Sequence, residues 1–328
     1  MKPTVKIGTR ESELAVWQAT LVQKLLHKHG FSYELIFIKS EGDINTVTPL
    51  YELGVQGIFT KTLDTALLNK KIDIAVHSMK DVPTQLAEGI KQAAVLKRGS
   101  YKDVFVYKGE FSEVSSELGM VNGQWSMVNQ KDSFTIHHSP FTIATSSIRR
   151  KAQWLHRYPN HSFENLRGNI NTRMRKVYEN DWKGAIFAAA GLERINLRPE
   201  NCIDLNWMLP SPAQGAIMIV CRQDDSFSFE ACKVFNDTDT ALSTKLERDF
   251  LRTLLGGCST PISALAEVKD DKIIFKGNIC SIQGKEIIEI EKEDLIKESE
   301  LLGVTAANEI LQDTKAQNII HAIRHEKS

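Results

Sequence analysis

Apolar residues in this chain switch back and forth between two spacings, and that alternation limits the folds open to it. Val5–Gly8 reads as a short buried strand, and Glu13–His29 carries Leu14, Trp17, Leu21 and Leu25 at helical spacing before Gly30 ends the pattern. Tyr33–Lys39 alternates as a strand, Phe59–Asn69 returns to helical spacing, and Ile72–His77, Ile90–Leu96 and Val104–Tyr107 read as strands. The succession recurs at Phe141–Ala144 (strand), Ser147–Arg157 (helix), Ser162–Leu166 (strand), Ile170–Asn180 (helix) and Ala185–Ala189 (strand), with a further strand at Ala216–Cys221. A helix over Thr240–Leu255 then precedes strands at Ile262–Val268, Ile273–Cys280 and Glu286–Ile290 and a final helix over Leu295–Gln312. This order, β-α-β-α twice and then α-β-β-β-α, predicts an α/β chain of two doubly wound units and a small C-terminal α+β unit. No internal repeat of fixed period is visible. Lys108–Pro140 is polar, holds Gly109, Gly119 and Gly123, and reads as an irregular surface excursion.

Several function classes drop out on composition. Lys+Arg and Asp+Glu both number 41 in 328 residues, so a nucleic-acid coat or a strongly basic membrane binder is not expected. No apolar run reaches the roughly 18–20 residues that cross a bilayer, and the first residues lack a signal-peptide core. The five cysteines form no CxxC pair, which argues against a disulfide scaffold or a structural zinc site and for a reduced, cytoplasmic protein. Neither a Walker loop nor GxGxxG is present, so nucleotide binding has no support.

In open α/β sheets, ligands sit beyond the carboxyl ends of the strands, and polar residues cluster there in this chain. Thr145-Ser146-Ser147 opens a helix that begins with Arg149-Arg150, and Arg167-Gly168-Asn169 repeats the arrangement one unit later, followed by Arg173 and Arg175. Hydroxyls, free N–H groups and guanidinium forks at helix starts suit carboxylates or phosphates, against the alternative of surface ion pairs. Lys80-Asp81 sits at the exit of a buried strand, with Pro83 stiffening the turn; Asp81 suits proton transfer or an N–H donor, or is an ordinary turn-forming aspartate. His77 reads as a packed strand residue. After a helix that ends in Gly256-Gly257, Cys258 lies on a loop, either as an accessible thiol or as a buried inert one; Cys202, Cys221, Cys232 and Cys280 fit the inert role better.

These segments resemble the hydroxymethylbilane synthase (porphobilinogen deaminase) family. The matching stretches are Gly8-Thr9-Arg10-Glu11-Ser12, Asp73 to Pro83, Thr145-Ser146-Ser147-Ile148-Arg149-Arg150, Leu166 to Arg173, Ala190-Gly191-Leu192-Glu193-Arg194, Gln214-Gly215-Ala216 and Gly256 to Pro261, in family order along nearly the whole chain. The resemblance implies two units like the halves of a periplasmic binding protein plus a small module carrying the cofactor cysteine. Its boundaries here are 1–98 with 216–236, 103–211 with an insertion at about 108–140, and 237–328. It implies a monomeric transferase of haem biosynthesis that joins four porphobilinogen molecules head to tail with loss of ammonia. The primer is a dipyrromethane cofactor bound as a thioether to Cys258, with no metal and no nucleic-acid or membrane partner.

By motif match, Asp81 is the catalytic residue. Cofactor contacts fall to Lys80, Ser12, Thr145, Ser147, Arg149, Arg150 and Arg173, and substrate contacts to Arg10, Arg149, Arg167, Gly168, Arg173, Arg194 and Phe59. The chain departs from the family pattern at Gln56, where lysine is usual in a Gly-Gly-Lys-Gly-Leu-Phe loop, at Ala144, at Ser211-Pro212-Ala213 and in the long 108–140 stretch. Two alternatives to the synthase are a solute-binding module for a small dicarboxylate and an inactive homologue.

Overall fold

The computed structural model describes residues 3–39, 60–109, 120–121, 124–125, 141–254 and 260–325. In chain order its elements begin with β1 (Val5–Thr9), α1 (Glu13–Lys28), β2 (Tyr33–Phe37), α2 (Lys61–Leu68), β3 (Ile74–Ser78) and β4 (Ile90–Val95). Then come β5 (Asp103–Tyr107), a short ladder of β6 (Met120–Val121) and β7 (Gln124–Trp125) within the insertion, β8 (Thr142–Ala144), α3 (Ile148–Arg157), β9 (Ser162–Glu164), α4 (Ile170–Glu179), β10 (Gly184–Ala188), α5 (Ala189–Arg194) and β11 (Cys202–Asp204). The chain continues with β12 (Ile217–Arg222), α6 (Ser226–Lys233), α7 (Thr238–Leu254), β13 (Ile262–Lys269), β14 (Lys272–Cys280), β15 (Ile287–Leu295), a 3-10 stretch (Ile296–Leu301), α8 (Leu302–Ile310) and α9 (Thr314–His325).

Two five-stranded sheets share one plan. The first runs β2-β1-β3-β12-β4 and the second β9-β8-β10-β5-β11. In each, three parallel strands meet a fourth that runs antiparallel, and that antiparallel strand is the one adjoining a crossing between the two sheets. The sequence shows no fixed period because the repeat is one of topology and the insertions between strands differ in length. The crossings lie close together: Gly99 N donates to Gly215 O at 3.1 Å, and a Cβ on Gly215 (φ +86°) would stand 2.6 Å from Ser100 O. Only glycine fits there.

Helices cover both faces of the first sheet. On one face Ala19, Val22 and Leu26 of α1 pack on Val5, Ile7, Ile74 and Val76; on the other, Leu63, Ala66 and Leu67 of α2 pack on Ala75, Met218 and Val220. The buried stripe of α1 is therefore Ala15, Ala19, Val22 and Leu26, one position over from the Leu14–Leu25 set read from the sequence, and Trp17 is 37% exposed. Trp17 faces the second sheet's helices, which explains why its apolar ring is not in the core.

The third sheet, β13-β14-β15, is antiparallel, and α7, α8 and α9 cover one side of it. Leu246, Phe250 and Leu254 of α7 enter this core, with Phe250 5.2 Å from Phe275. The single helix expected over Leu295–Gln312 is instead the end of β15, the 3-10 stretch and α8, and a separate helix, α9, follows. Asp313 starts α9 by accepting from Lys315 N at 2.7 Å, and Ala316, Ile319, Ile320 and Ile323 form its buried stripe. Helix α6 was also not expected, because Ser226-Phe227-Ser228-Phe229 alternates like a strand; Asp225, accepting from Ser228 N at 2.9 Å, caps it as a helix.

Helix α8 approaches α7 so closely that a Cβ on Gly303 would lie 2.1 Å from Leu246 O. Gly303→Ala forces the two helices apart, and the expected cost is about 1–3 kcal/mol, read as a lower urea midpoint.

Candidate active site

Both sheets direct their strand ends into one cleft, and the residues that follow those strands line it. Lys80 and Asp81 occupy a three-residue 3-10 turn (Met79–Asp81) after β3. Its start is fixed by Met79 N donating to Ala216 O at 3.0 Å, which ties the turn to the crossing before β12. Asp81 is exposed to the cleft, and among the described residues its carboxylate has no ion pair within 4.0 Å. Gln18 of α1 donates to Ser78 Oγ at 2.8 Å, and His77 is buried with Nε2 lacking a hydrogen-bond partner. Burial, with Arg10 nearby, lowers the His77 pKa to about 3, so the ring is neutral.

From the second sheet come Thr145, Ser147, Arg149 and Arg150 after β8, and Arg167, Gly168 and Arg173 after β9. Ser147 caps α3 by accepting from Arg150 N at 3.4 Å, and Thr145 Oγ1 accepts from Ser147 N at 3.2 Å. Asn169 caps α4 through Thr172 N at 2.9 Å. Gly168 has φ +111°, and its carbonyl receives Arg173 Nε at 2.7 Å, so the backbone turn itself aims that guanidinium.

Arg149 and Arg150 are buried against one carboxylate that the sequence reading missed. Asp103, fully buried at the start of β5, accepts from Arg149 Nη2 at 2.6 Å and from Arg150 Nε and Nη2 at 3.0 and 2.8 Å. Gln214 Nε2 adds a bond at 2.9 Å, while Leu209 O and Ile186 O take further donors of the two arginines. Burial alone would raise the Asp103 pKa; the two guanidiniums outweigh it and bring it down to about 2. The arginine pair is 46 and 47 residues away in sequence, which is why spacing could not reveal the partner.

Among the described residues, Lys80 and Arg173 form no ion pair within 4.0 Å. Burial lowers Lys80 to about 8; Asp81 and Asp103 act the other way, and Arg150 and Arg149 add to the lowering. Arg173 falls to about 10 through burial and the charges of Arg150 and Arg167, with Asp81 opposing. Lys80, Asp81, Arg149, Arg150, Arg167 and Arg173 thus share one electrostatic neighbourhood. Ser12 begins α1 with its hydroxyl outside any capping bond, and the adjoining Glu13 accepts from Asn171 of α4 at 2.8 Å across the cleft. Arg194 stands at the junction of the two sheets, donating to Gly215 O at 2.6 Å with its guanidinium 5.7 Å from the Trp17 ring. Phe59, Gln56 and Cys258 lie outside the described residues. Among the other cysteines, burial pushes the Cys221 and Cys280 thiols up to about 11 and about 12, and raises Cys202 and Cys232 as well.

Cations held in a partly desolvated cleft among like charges gain most from an arriving carboxylate. This donor set therefore fits a polycarboxylate such as a dipyrromethane bearing acetate and propionate arms.

Two further buried charged residues adjoin the site. Glu247 of α7, fully buried, accepts from Arg98 Nη1 and Nη2 at 2.5 and 3.0 Å, from Ala213 N at 2.6 Å and from Ala266 N at 2.8 Å. Arg248, next to it, donates to backbone carbonyls of the Asp81 turn. Both lie in the helix read from apolar spacing but between its apolar positions, so spacing alone gives them no role.

The Asp103 pairing makes the fold acid-sensitive. Its folded pKa of about 2 is below the ordinary 3.8, so the stability it contributes is present above about pH 4 and lost as pH falls toward 2. Asp103→Asn removes that acid dependence and, by leaving two buried guanidiniums without a counter-charge, costs about 3–5 kcal/mol at neutral pH, measured by denaturant unfolding across pH.

The family model "Porphobilinogen deaminase, dipyromethane cofactor binding domain" matches residues 5–230, and "Porphobilinogen deaminase, C-terminal domain" matches 241–312. The chain is 38% identical to the porphobilinogen deaminase of Carboxydothermus hydrogenoformans over 99% of each chain. It is 37% identical to the chloroplastic porphobilinogen deaminase of Pisum sativum, over 94% of this chain and 81% of that protein. Among solved structures it overlaps the methionine-binding protein MetQ at 13% identity and a TM-score of 0.42, covering 72% of this chain and 91% of that one. The chain belongs to the porphobilinogen deaminase family.

Proposed function

We propose that Asp81 and the cations around it carry out the head-to-tail condensation of four porphobilinogen molecules, with loss of ammonia at each step, on a primer tethered to Cys258. The chain is a transferase of tetrapyrrole biosynthesis that polymerises porphobilinogen, and its family uses a dipyrromethane cofactor. When bound, that cofactor supplies the covalent primer to which substrate units are joined. The observation that carries the residue roles is the placement of Asp81, a carboxylate without an ion pair among the described residues, within electrostatic reach of Lys80 and Arg173.

Each porphobilinogen brings an acetate and a propionate, so a growing chain accumulates negative charge. Arg10, Lys80, Arg149, Arg150, Arg167, Arg173 and Arg194 offset it, with Ser12, Thr145 and Ser147 as neutral donors. Gly168 aims Arg173, and Phe59 supplies an apolar surface. Loss of ammonia from the aminomethyl group leaves a cationic ring whose charge is shared with the pyrrole N–H. Asp81 accepts from that N–H, stabilises the cation and relays the proton released when the new carbon–carbon bond forms.

On this reading the chain is a cytoplasmic monomer without nucleic-acid or membrane partners; among the described residues no helix is long and apolar enough to cross a membrane. Its domains are 1–98 with 216–236, 103–211 and 237–328, and successive additions are accommodated by shifts about the crossings near 99–103 and 211–215.

Porphobilinogen is supplied, the product oxidised, and porphyrin absorbance recorded. Asp81→Asn keeps the fold and the covalent dipyrrole but loses turnover by about 10²–10⁴-fold; near-normal turnover removes Asp81 from the mechanism. Cys258→Ser yields a protein whose intact mass equals that of its amino acids and which gives no colour with Ehrlich's reagent; an adduct surviving in that variant moves the attachment elsewhere.

A further inference from the structure

We infer that Arg248 is a positioning residue for the reaction: its guanidinium holds the Asp81 turn in fixed register with the helix that leads to Cys258. The inference rests on the reading of Asp81 and Cys258 given above. Arg248 Nη1 donates to Val82 O at 2.9 Å and to Met79 O at 3.4 Å, and Nη2 donates to Pro83 O at 2.5 Å. These three carbonyls bracket Asp81 on both sides, and they are reached from 165–169 residues away.

The turn has little of its own to keep its shape. It is three residues long, with Val82 N donating to Met79 O at 3.1 Å, and Ser78 makes no capping bond to it. Carbonyls at the end of so short a turn have no helix to continue into and need a donor. A planar fork with several N–H groups can serve three of them at once, which an ammonium on a flexible stem cannot do with the same geometry. Arg248 is itself buried, at 9% exposure, and spends these donors on backbone, leaving the Asp81 carboxylate to the cleft.

The platform under Arg248 is rigid. The preceding residue, Glu247, binds Arg98 and the backbone of Ala213 and Ala266, so α7 is anchored at both crossings and at β13. The following residue, Asp249, pairs with Lys245 and Arg252 along the helix. From Arg248 the helix runs six residues, about 9 Å, to Leu254, and Cys258 follows four residues later. One helix therefore grips the acid-bearing turn and leads to the tether point. The register between the Asp81 turn and α7 is thus set by Arg248 at the point where the helix passes the turn.

The test uses the full chain, loaded with cofactor in a host that makes porphobilinogen. Turnover is expressed per mole of Ehrlich-reactive dipyrrole, alongside intact mass and thermal midpoint. Arg248→Met is expected to lower kcat by about 10–100-fold while KM for porphobilinogen stays within about twofold and the adduct mass is retained. Arg248→Lys is expected to recover part of that loss and to remain at least about twofold below the parent, because its donors lack the fork. Parent-level kcat per loaded molecule in either variant overturns the inference. So does a loss of activity that tracks only the fraction folded or loaded. Should Arg248→Met fail to fold, the kcat and KM of Arg248→Lys decide alone. Asp81→Asn runs in parallel: if it retains full turnover, the reading of Asp81 fails; if it is inactive while the Arg248 variants are normal, only the positioning role fails.

Discussion

One carboxylate with no contact to water holds two adjacent guanidiniums apart from solvent and from each other's repulsion. Asp103 makes it possible for Arg149 and Arg150 to be buried at all, since two like charges without a counter-ion would not stay in so dry a place. The same carboxylate receives Gln214 from the second crossing and sits at the head of β5 just after the first. Ion-pair chemistry and chain topology meet at a single residue. Lys80 and Arg173, buried beside this pair and opposed only in part by nearby carboxylates, are the positive character that a many-carboxylate ligand meets.

Helix α7 complements that arrangement from the other side. Its apolar stripe faces the third sheet, and its polar face, Thr240, Ser243, Thr244, Glu247 and Arg248, is buried against the crossings and the Asp81 turn. A helix with two buried faces of opposite character cannot rotate or slide without leaving Glu247 or Leu246 in the wrong medium. Any change of angle between the two large sheets is borne by the short crossings and by contacts such as Asn171–Glu13 and Arg194–Trp17.

Local pattern carried most of the elements. The first-sheet strands and α1, α3, α4 and α7 follow directly from apolar spacing and caps, and the polar residues after the strands do face one cleft. The failures are of three kinds. Helix α6 is hidden because Ser-Phe alternation imitates a strand and only the Asp225 cap reverses it. The buried face of α1 is displaced because Trp17 serves the partner sheet and not the core. Asp103, Glu247 and Arg248 leave no mark in spacing, because their partners come from 19 to 169 residues away and are assembled only by the tertiary fold. Family motifs name the cations, while the carboxylate and backbone groups that hold them are visible only in three dimensions.

The shared strand order has a consequence for how this chain is made. The second sheet draws all its strands from 103–204, whereas the first needs β12, which arrives more than a hundred residues after β4. During vectorial synthesis the amino-terminal lobe emerges first but stays an open-edged intermediate, with one edge of β3 and all of β4 unpaired, until residue 222 has left the ribosome. The later-born lobe can close ahead of the earlier one, and the exposed edge of β3 in the interim is where nascent chains of this design are most open to mispairing.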